Sequence, residues 1–216
     1  NISDCHYYED IIISPKNPYF TMKDDCIYTS TMSYLLFAKS KETITIPEGV
    51  NIIETGAFAP ESGRNDEIKN INLPSSIDLI SDNVFTNLYA LENINVTSGG
   101  YYQSENGLLY SNDFALLHHC PQGKTGTVEV NKNVVTIYEN AFYYNTKAEK
   151  VIVPEGVKSI RRGNFVTHGG EGVMELKLPS SLTEIYPKML RYSDKFKVNA
   201  PSGSEAQKHA EYMSKK

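Results

Sequence analysis

Apolar positions along the chain repeat in a fixed order that contains two periods. In IKNINLPSSIDLISDNVF, residues 68–85, Ile71 and Leu73 alternate with Asn70 and Asn72, which is strand spacing. Beyond the proline the period changes, because Ile77 and Ile80 lie three apart. With Pro74 as zero, apolar side chains fall at −6 (Ile68), −3, −1, +3, +6, +10 (Val84) and +11 (Phe85). The order returns around Pro47, Asn131, Pro154 and Pro179, with 27 residues from Pro47 to Pro74, 23 from Asn131 to Pro154 and 25 from Pro154 to Pro179. All five copies are apolar at −3, −1, +3 and +6, and position +11 is Phe58, Phe85, Phe142, Phe165 or Leu190. One such rung buries too few side chains to offset the ordering of its own backbone, so the rungs must stack and share a core.

Each rung is expected to hold a parallel strand over −4 to −1. A second short extended piece over +3 to +6 lies on the opposite side, and a helical turn over +8 to +12 places the Phe inside. A third copy opens with Leu91, Ile94 and Val96, then gives way to TSGGYYQSENGLLYSNDFALLHHCPQGK. Within it, Gly107–Tyr110 and Ala115–His118 flank a short polar turn and predict a β-hairpin. Cys26–Tyr28 and Tyr34–Phe37 predict another. The chain therefore reads as two copies of a larger unit: strand, hairpin, then rungs. Ile11–Ile13 reads as the first strand, and residues 60–67 and 167–171 as exposed loops that lengthen their rungs. Phe196 and Val198 open a rung that is cut short. Ser202 and Glu205 have capping-box spacing, and Ala206, Ala210 and Met213 keep helical spacing, so residues 203–214 predict a helix over the open apolar end. The organisation is one repeat domain over 1–216. It has an irregular N-terminal rung with a hairpin (1–40), rungs (41–96), a hairpin insertion (97–124), further rungs (125–198) and a C-terminal cap (199–216).

The repeat x-x-I-x-(I/L)-P-x-x-(V/I/L)-x-x-I-x-x-(G/N)-x-F resembles the BspA-like (Treponema-type) leucine-rich repeat of bacterial surface proteins. The segments ENGLLYSNDFALLHHCPQGK, DDCIYTSTMSYLLFAK and VNAPSGSEAQKHAEYM are also similar to that family. The resemblance runs over residues 11–214 and implies a leucine-rich-repeat solenoid of the right-handed β/α superhelix class. That fold is mostly β, with short helical turns, two inserted β-hairpins and a C-terminal capping helix. It further implies a non-enzymatic protein, extracellular or on the cell surface, that adheres to host or cell-surface macromolecules. No Asn recurs at the turn after the strand, so an asparagine ladder is not expected there. Asn131 departs from the pattern by replacing Pro, Asn164 by replacing a small +10 residue, and Lys188-Met189-Leu190 by replacing G-x-F.

Composition narrows the classes without naming a ligand. The chain is 40% apolar and 22% charged, with net charge −5 and its Lys and Arg residues scattered, which argues against a nucleic-acid partner. No apolar run is long enough to span a bilayer. Residue 1 is Asn rather than Met, so a removed signal peptide or a trimmed N-terminus is expected. The three cysteines, Cys5, Cys26 and Cys120, form no CxxC; buried thiols are expected, with a Cys5–Cys26 bridge as the open alternative. His118-His119-Cys120 lie consecutively on a strand and point to alternate faces, so no metal or other cofactor is expected. No nucleophile elbow, phosphate loop or metalloprotease motif is present.

Strand alternation leaves two outward columns as the candidate ligand-binding face. Position −4 is Thr43, Asn70, Asn93, Thr127, Lys150, Glu175 and Lys195; position −2 is Thr45, Asn72, Asn95, Glu129, Ile152, Lys177 and Lys197. The N-terminal part is uncharged and the C-terminal part charged. Tyr101 and Tyr102, with Tyr110 and Phe114 nearby, are candidate aromatic contacts. The ligand is expected to be protein or glycan. A glycan-binding accessory module and a structural spacer for another domain stand as alternatives.

Overall fold

The structure, a computed structural model, describes residues 11–58, 63–145, 147–165, 174–186 and 196–214. The chain divides into two compact units, 1–102 and 103–216. The division falls inside the segment expected to interrupt the rungs.

Unit 1 holds β1 (Phe20–Lys23), β2 (Cys26–Thr29), β3 (Tyr34–Ala38), β4 (Thr43–Thr45), β5 (Ile52–Ile53), β6 (Asn70–Leu73), β7 (Leu79–Ile80) and β8 (Asn93–Val96). β4, β6 and β8 pair in parallel, and this first sheet carries the −3 and −1 residues of each rung inward. The two-residue strands β5 and β7 extend a second sheet in the order β1-β2-β3-β5-β7. Its first three strands are antiparallel. The predicted pairing of residues 26–28 with 34–37 is therefore the middle of a three-stranded run that continues into the parallel rungs. Ile11–Ile13, expected to be a strand, is irregular; Ile12 is 89% exposed and makes no ladder.

Unit 2 repeats the plan. It holds β9 (Tyr102–Glu105) from its second residue on, β10 (Leu108–Ser111), β11 (Leu116–His119), β12 (Gly126–Glu129), β13 (Thr136–Ile137), β14 (Ala148–Ile152), β15 (Ser159–Ile160), β16 (Met174–Lys177), β17 (Glu184–Ile185), β18 (Phe196–Asn199) and helix α1 (Glu205–Ser214). The first sheet runs β12-β14-β16-β18 and the second β17-β15-β13-β11-β10-β9. Each unit is thus a mostly-β solenoid segment. Among the described residues no helix is long and apolar enough to cross a membrane.

The periodic apolar residues fill the interior as their spacing predicts. Every −3, −1 and +3 residue of the five rungs is buried; at +6, Ile53, Ile137 and Ile160 are buried while Ile80 and Ile185 are half-buried. The Phe column stacks, Phe58 on Phe85 at 6.1 Å and Phe142 on Phe165 at 4.8 Å between ring centroids. Leu190 lies outside the described residues. Where a helical turn is expected, the chain makes a short turn through a left-handed residue at +9: Gly56 (φ 79°), Asn83 (60°), Asn140 (60°) and Gly163 (74°), with Ala57 N donating to Glu54 O, Thr86 N to Asn83 O and Tyr143 N to Asn140 O. That is why Gly or Asn stands at this position in these four rungs, while Lys188 of the fifth lies outside the described residues.

Rung-to-rung register is locked by a paired motif. In the PEGV rungs, Gly49 and Gly156 take positive φ at the third turn position, as a type II turn requires. The following rung supplies PSS. Gly49 N donates to Ser76 Oγ at 2.9 Å, and Ser76 Oγ donates to Val50 O at 2.7 Å. Gly156, Ser181 and Val157 repeat this at 2.9 and 2.9 Å. Ser75 and Ser180 hydroxyls donate to Glu48 and Glu155. One serine thereby satisfies both an orphan donor and an orphan acceptor of its neighbour.

The departures from the repeat have reasons. Asn131 stands where Pro stands elsewhere because its N–H is used: it donates to the buried Tyr110 hydroxyl at 3.3 Å, a bond proline cannot make. Asn164 is fully buried; its Nδ2 donates to Tyr138 O and Arg161 O, and its Oδ1 accepts from Phe142 N. It cross-links two turns that an alanine would leave unsatisfied. Asn65, inside the segment expected to be an exposed loop, is 3% exposed; its Oδ1 accepts from Glu67 N and Ile68 N. Residues 167–171 lie outside the described set. At the C-terminus the helix cap is Ser204 rather than Ser202: Gln207 N donates to Ser204 Oγ at 3.2 Å, and Gln207 Oε1 accepts from Gly203 N. Ala206, in the first turn of α1, is fully buried against the core.

Candidate functional site

In unit 1 the outward residues of the first sheet form two amide ladders. Parallel register sets Thr43, Asn70 and Asn93 side by side, and likewise Thr45, Asn72 and Asn95. Asn93 Nδ2 donates to Asn70 Oδ1 at 3.0 Å, and Asn70 Nδ2 donates to Thr43 Oγ1 at 3.3 Å. Asn95 donates to Asn72 at 3.0 Å, and Asn72 to Thr45 at 3.0 Å. Both tracks run the same way, with hydroxyls at one end and amide oxygens at the other. An asparagine ladder is thus present, on the strand face rather than at the turn where its absence was expected. The ladder holds the side chains in place yet uses only one N–H and one lone pair of the Asn70 and Asn72 amides. The result is a fixed, uncharged grid of donors and acceptors.

In unit 2 the same face is charged and differently satisfied. Register aligns Thr127, Lys150, Glu175 and Lys197 in one row, and Glu129, Ile152, Lys177 and Asn199 in the other. The last rung is therefore displaced by two residues from its sequence alignment. Lys197 occupies the row assigned to Lys195, which lies outside the described residues, and Asn199 takes the place assigned to Lys197. The shift follows from Phe196, which pairs with Met174 and packs edge-on against Phe165. Glu175 accepts from Lys150 Nζ at 2.9 Å and from Asn199 Nδ2 at 2.8 Å. The Lys150 hydrogen bond, with Asn199 adding to it, holds its carboxyl below the usual range. Glu155 is held low by Ser180 and Ser181. Beside this face a groove of about 920 Å³ is lined by Lys150, Ile152, Lys177, Val198, Asn199 and Ala210, so α1 forms one of its walls. Among the described residues, the carboxyl groups of Asp113, Glu155 and Glu175 are each held below their ordinary range, by hydrogen bonds from Ser111, Ser180 and Lys150 first.

The aromatic candidates separate. Tyr101 is 65% exposed and Tyr102 half-buried. Tyr110 is buried, and Phe114 packs on it at 5.4 Å. His118 and His119 are both pushed down by burial, to about 4 and about 3, so both imidazoles are neutral at neutral pH. Cys120 is a free buried thiol pushed up to about 12 by desolvation, with Asn145 Nδ2 at 3.2 Å from its sulfur. Cys26 is a free buried thiol as well; Cys5 lies outside the described residues. The side chains that sequence reasoning passed over are Asn199 and the buried Asn145. Asn199 was hidden by the two-residue shift of its rung. Asn145 had no apolar periodicity to mark it.

The sequence matches the family described as the BspA type leucine rich repeat region, in six copies over residues 29–114 and 65–197. No match was found among curated proteins. Two solved structures share the fold. One is a leucine-rich repeat protein from Eubacterium ventriosum, 22% identical, with a TM-score of 0.56 over 75% of this chain and 54% of that one. The other is the pneumococcal vaccine antigen PcpA, 18% identical, with a TM-score of 0.58 over 74% of this chain and 50% of that one. The chain spans about half the length of each. The repeat pattern, the stacked two-sheet rungs and the family match converge: this chain belongs to the BspA-type leucine-rich-repeat family.

Proposed function

We propose that the chain is a non-catalytic binding domain of an extracellular or cell-surface bacterial protein, and that it takes a protein or glycan ligand on the outward strand face of its rungs. The observation that carries this reading is the double ladder of Thr43, Thr45, Asn70, Asn72, Asn93 and Asn95. Side chains already held by one another lose little entropy when a ligand arrives. They also offer paired donors and acceptors without the desolvation cost of charge. The charged rows of unit 2, through Thr127, Glu129, Lys150, Glu175 and Lys177, and the exposed Tyr101 with its neighbour Tyr102, serve as secondary contacts. In the same reading the antiparallel runs are insertions into the repeat, and α1 is its C-terminal cap.

The test is a binding screen of the purified chain against extracellular-matrix proteins and a glycan array. It is repeated with alanine at Asn70, Asn72, Asn93 and Asn95 together. At least one ligand is expected, with affinity lowered at least tenfold in the variant, about 1.4 kcal/mol or more. A hit confined to the glycan array selects the accessory-module reading. No hit on either panel selects the spacer, and a hit untouched by the four substitutions removes the ladder from the site.

A further inference from the structure

The second sheet of unit 2 carries a row that the repeat does not require. Leu117, Ile137, Ile160 and Ile185 align across β11, β13, β15 and β17 and face inward. The residue after each therefore faces out, which aligns His118, Tyr138, Arg161 and Tyr186. The backbone bonds continue through them, Tyr138 N to Leu117 O at 2.9 Å and Arg161 N to Ile137 O at 3.0 Å. The four span three strand spacings, about 14 Å. The His118 and Tyr138 rings are 5.6 Å apart, and the Arg161 guanidinium lies 5.2 Å from the Tyr138 centroid. Tyr186 is 47% exposed and Arg161 is exposed. The equivalent positions of unit 1 are Leu36, Glu54 and Ser81, with neither aromatic ring nor cation. Core packing, which both units share, does not call for this row.

Its charge is distinctive. Arg162, the next residue, pairs with Glu139 at 2.6 Å. Arg161 has no carboxylate within ion-pair distance among the described residues. One face of its guanidinium is covered by a tyrosine, which leaves the planar N–H edge for a bidentate carboxylate. Exposed Tyr and Arg together are the side chains that dominate protein interfaces.

We infer that this row is an interaction surface for a protein segment bearing a single carboxylate between apolar or aromatic side chains. The carboxylate meets Arg161, and the flanking side chains cover Tyr138 and Tyr186. An acidic polysaccharide fits less well. It carries charge at short intervals, and Glu184 lies on the same face two residues before Tyr186, with Glu139 also close by. A lone cation between two rings selects one carboxylate in an apolar setting rather than a polyanion.

The full chain is tested on an immobilised array of short peptides with one Glu between Leu, Phe or Tyr, on a matched array with Gln in its place, and on oligogalacturonate. Binding to members of the Glu array is expected, weaker by about fivefold or more for the Gln partners and for Arg161→Gln and Tyr186→Ala. Arg161→Lys weakens it too, because the stacked fork is lost. Tyr186→Phe keeps the ring and keeps binding, and Arg162→Gln leaves affinity unchanged. Thermal midpoints of the variants are compared so that a lost fold is not read as lost affinity. The inference is overturned by equal binding of Glu and Gln peptides, by no binding to the Glu array, by an Arg161→Gln chain that binds as well as the parent, or by tighter binding of oligogalacturonate. None of these outcomes bears on the amide-ladder face, whose residues stay intact in every variant.

Discussion

At the scale of single residues, polar side chains fix what the apolar ones leave open. Ser76 and Ser181 each satisfy two backbone groups of the preceding rung. Asn164 and Asn131 break the repeat pattern because each has a specific hydrogen bond to make. The same scale holds the pH response. Burial depresses His118 to about 4 and His119 to about 3, with the His118 charge also acting on His119. In the unfolded chain both titrate near about 6.5. As pH falls below that value the unfolded state takes up protons first, so stability is full above it and declines towards pH 4. The slope is at most about 1.4 kcal/mol per pH unit per histidine. Thermal midpoints measured between pH 6.5 and 5 should fall in the parent chain and stay flatter in a His118→Gln, His119→Gln double variant. That window lies above the range where the depressed Glu155 and Glu175 carboxyls protonate. Equal slopes would reject the assignment.

At the scale of elements, the two-residue strands of the second sheet are too short to persist alone. They exist because the antiparallel runs β2–β3 and β10–β11 present an edge on which β5 and β13 pair in parallel. Helix α1 likewise depends on its cap and on Ala206, which sits against the core. Ser202 and Ser204 both have the chemistry of an N-cap, and only the Ser204 hydroxyl accepts from the backbone of the first turn. Ser204→Ala should therefore lower stability by about 1 kcal/mol in urea unfolding, while Ser202→Ala changes it by a few tenths. The reverse order would move the cap back to Ser202.

At the scale of the molecule, repetition is two-fold. Each unit has an antiparallel run, parallel rungs and its own interior. The described core residues of unit 2, from Leu108 to Ala206, form one continuous cluster of side chains. A chain of residues 103–216 should therefore unfold cooperatively, with a single sigmoidal urea transition by circular dichroism. A gradual, non-cooperative change would show that its rungs need residues 1–102 to stack. The units differ in what they present, not in how they are built: uncharged amides on the first sheet of one, paired charges and an aromatic–arginine row, exposed at Arg161 and Tyr186, on the other.

What the chain's sequence determined is the inventory of the interior. Apolar periodicity is a local property, and five aligned copies identify Ile71, Leu73, Ile77, Ile80 and Phe85 as facing inward; all are buried except Ile80, which is half-buried. The rung and its zero at Pro or Asn are legible for the same reason; the Gly or Asn at +9 stands in the pattern, but its left-handed backbone is a finding of the structure. The outward columns were legible as exposed positions, but not as a ladder, because a hydrogen bond between Asn72 and Asn95 depends on register with a segment 23 residues away. Register also placed Asn199 where Lys197 was expected, and it brought Arg161 beside Tyr138 across two strands. A periodic pattern tells each residue which way to face; only stacking tells it which neighbour it meets.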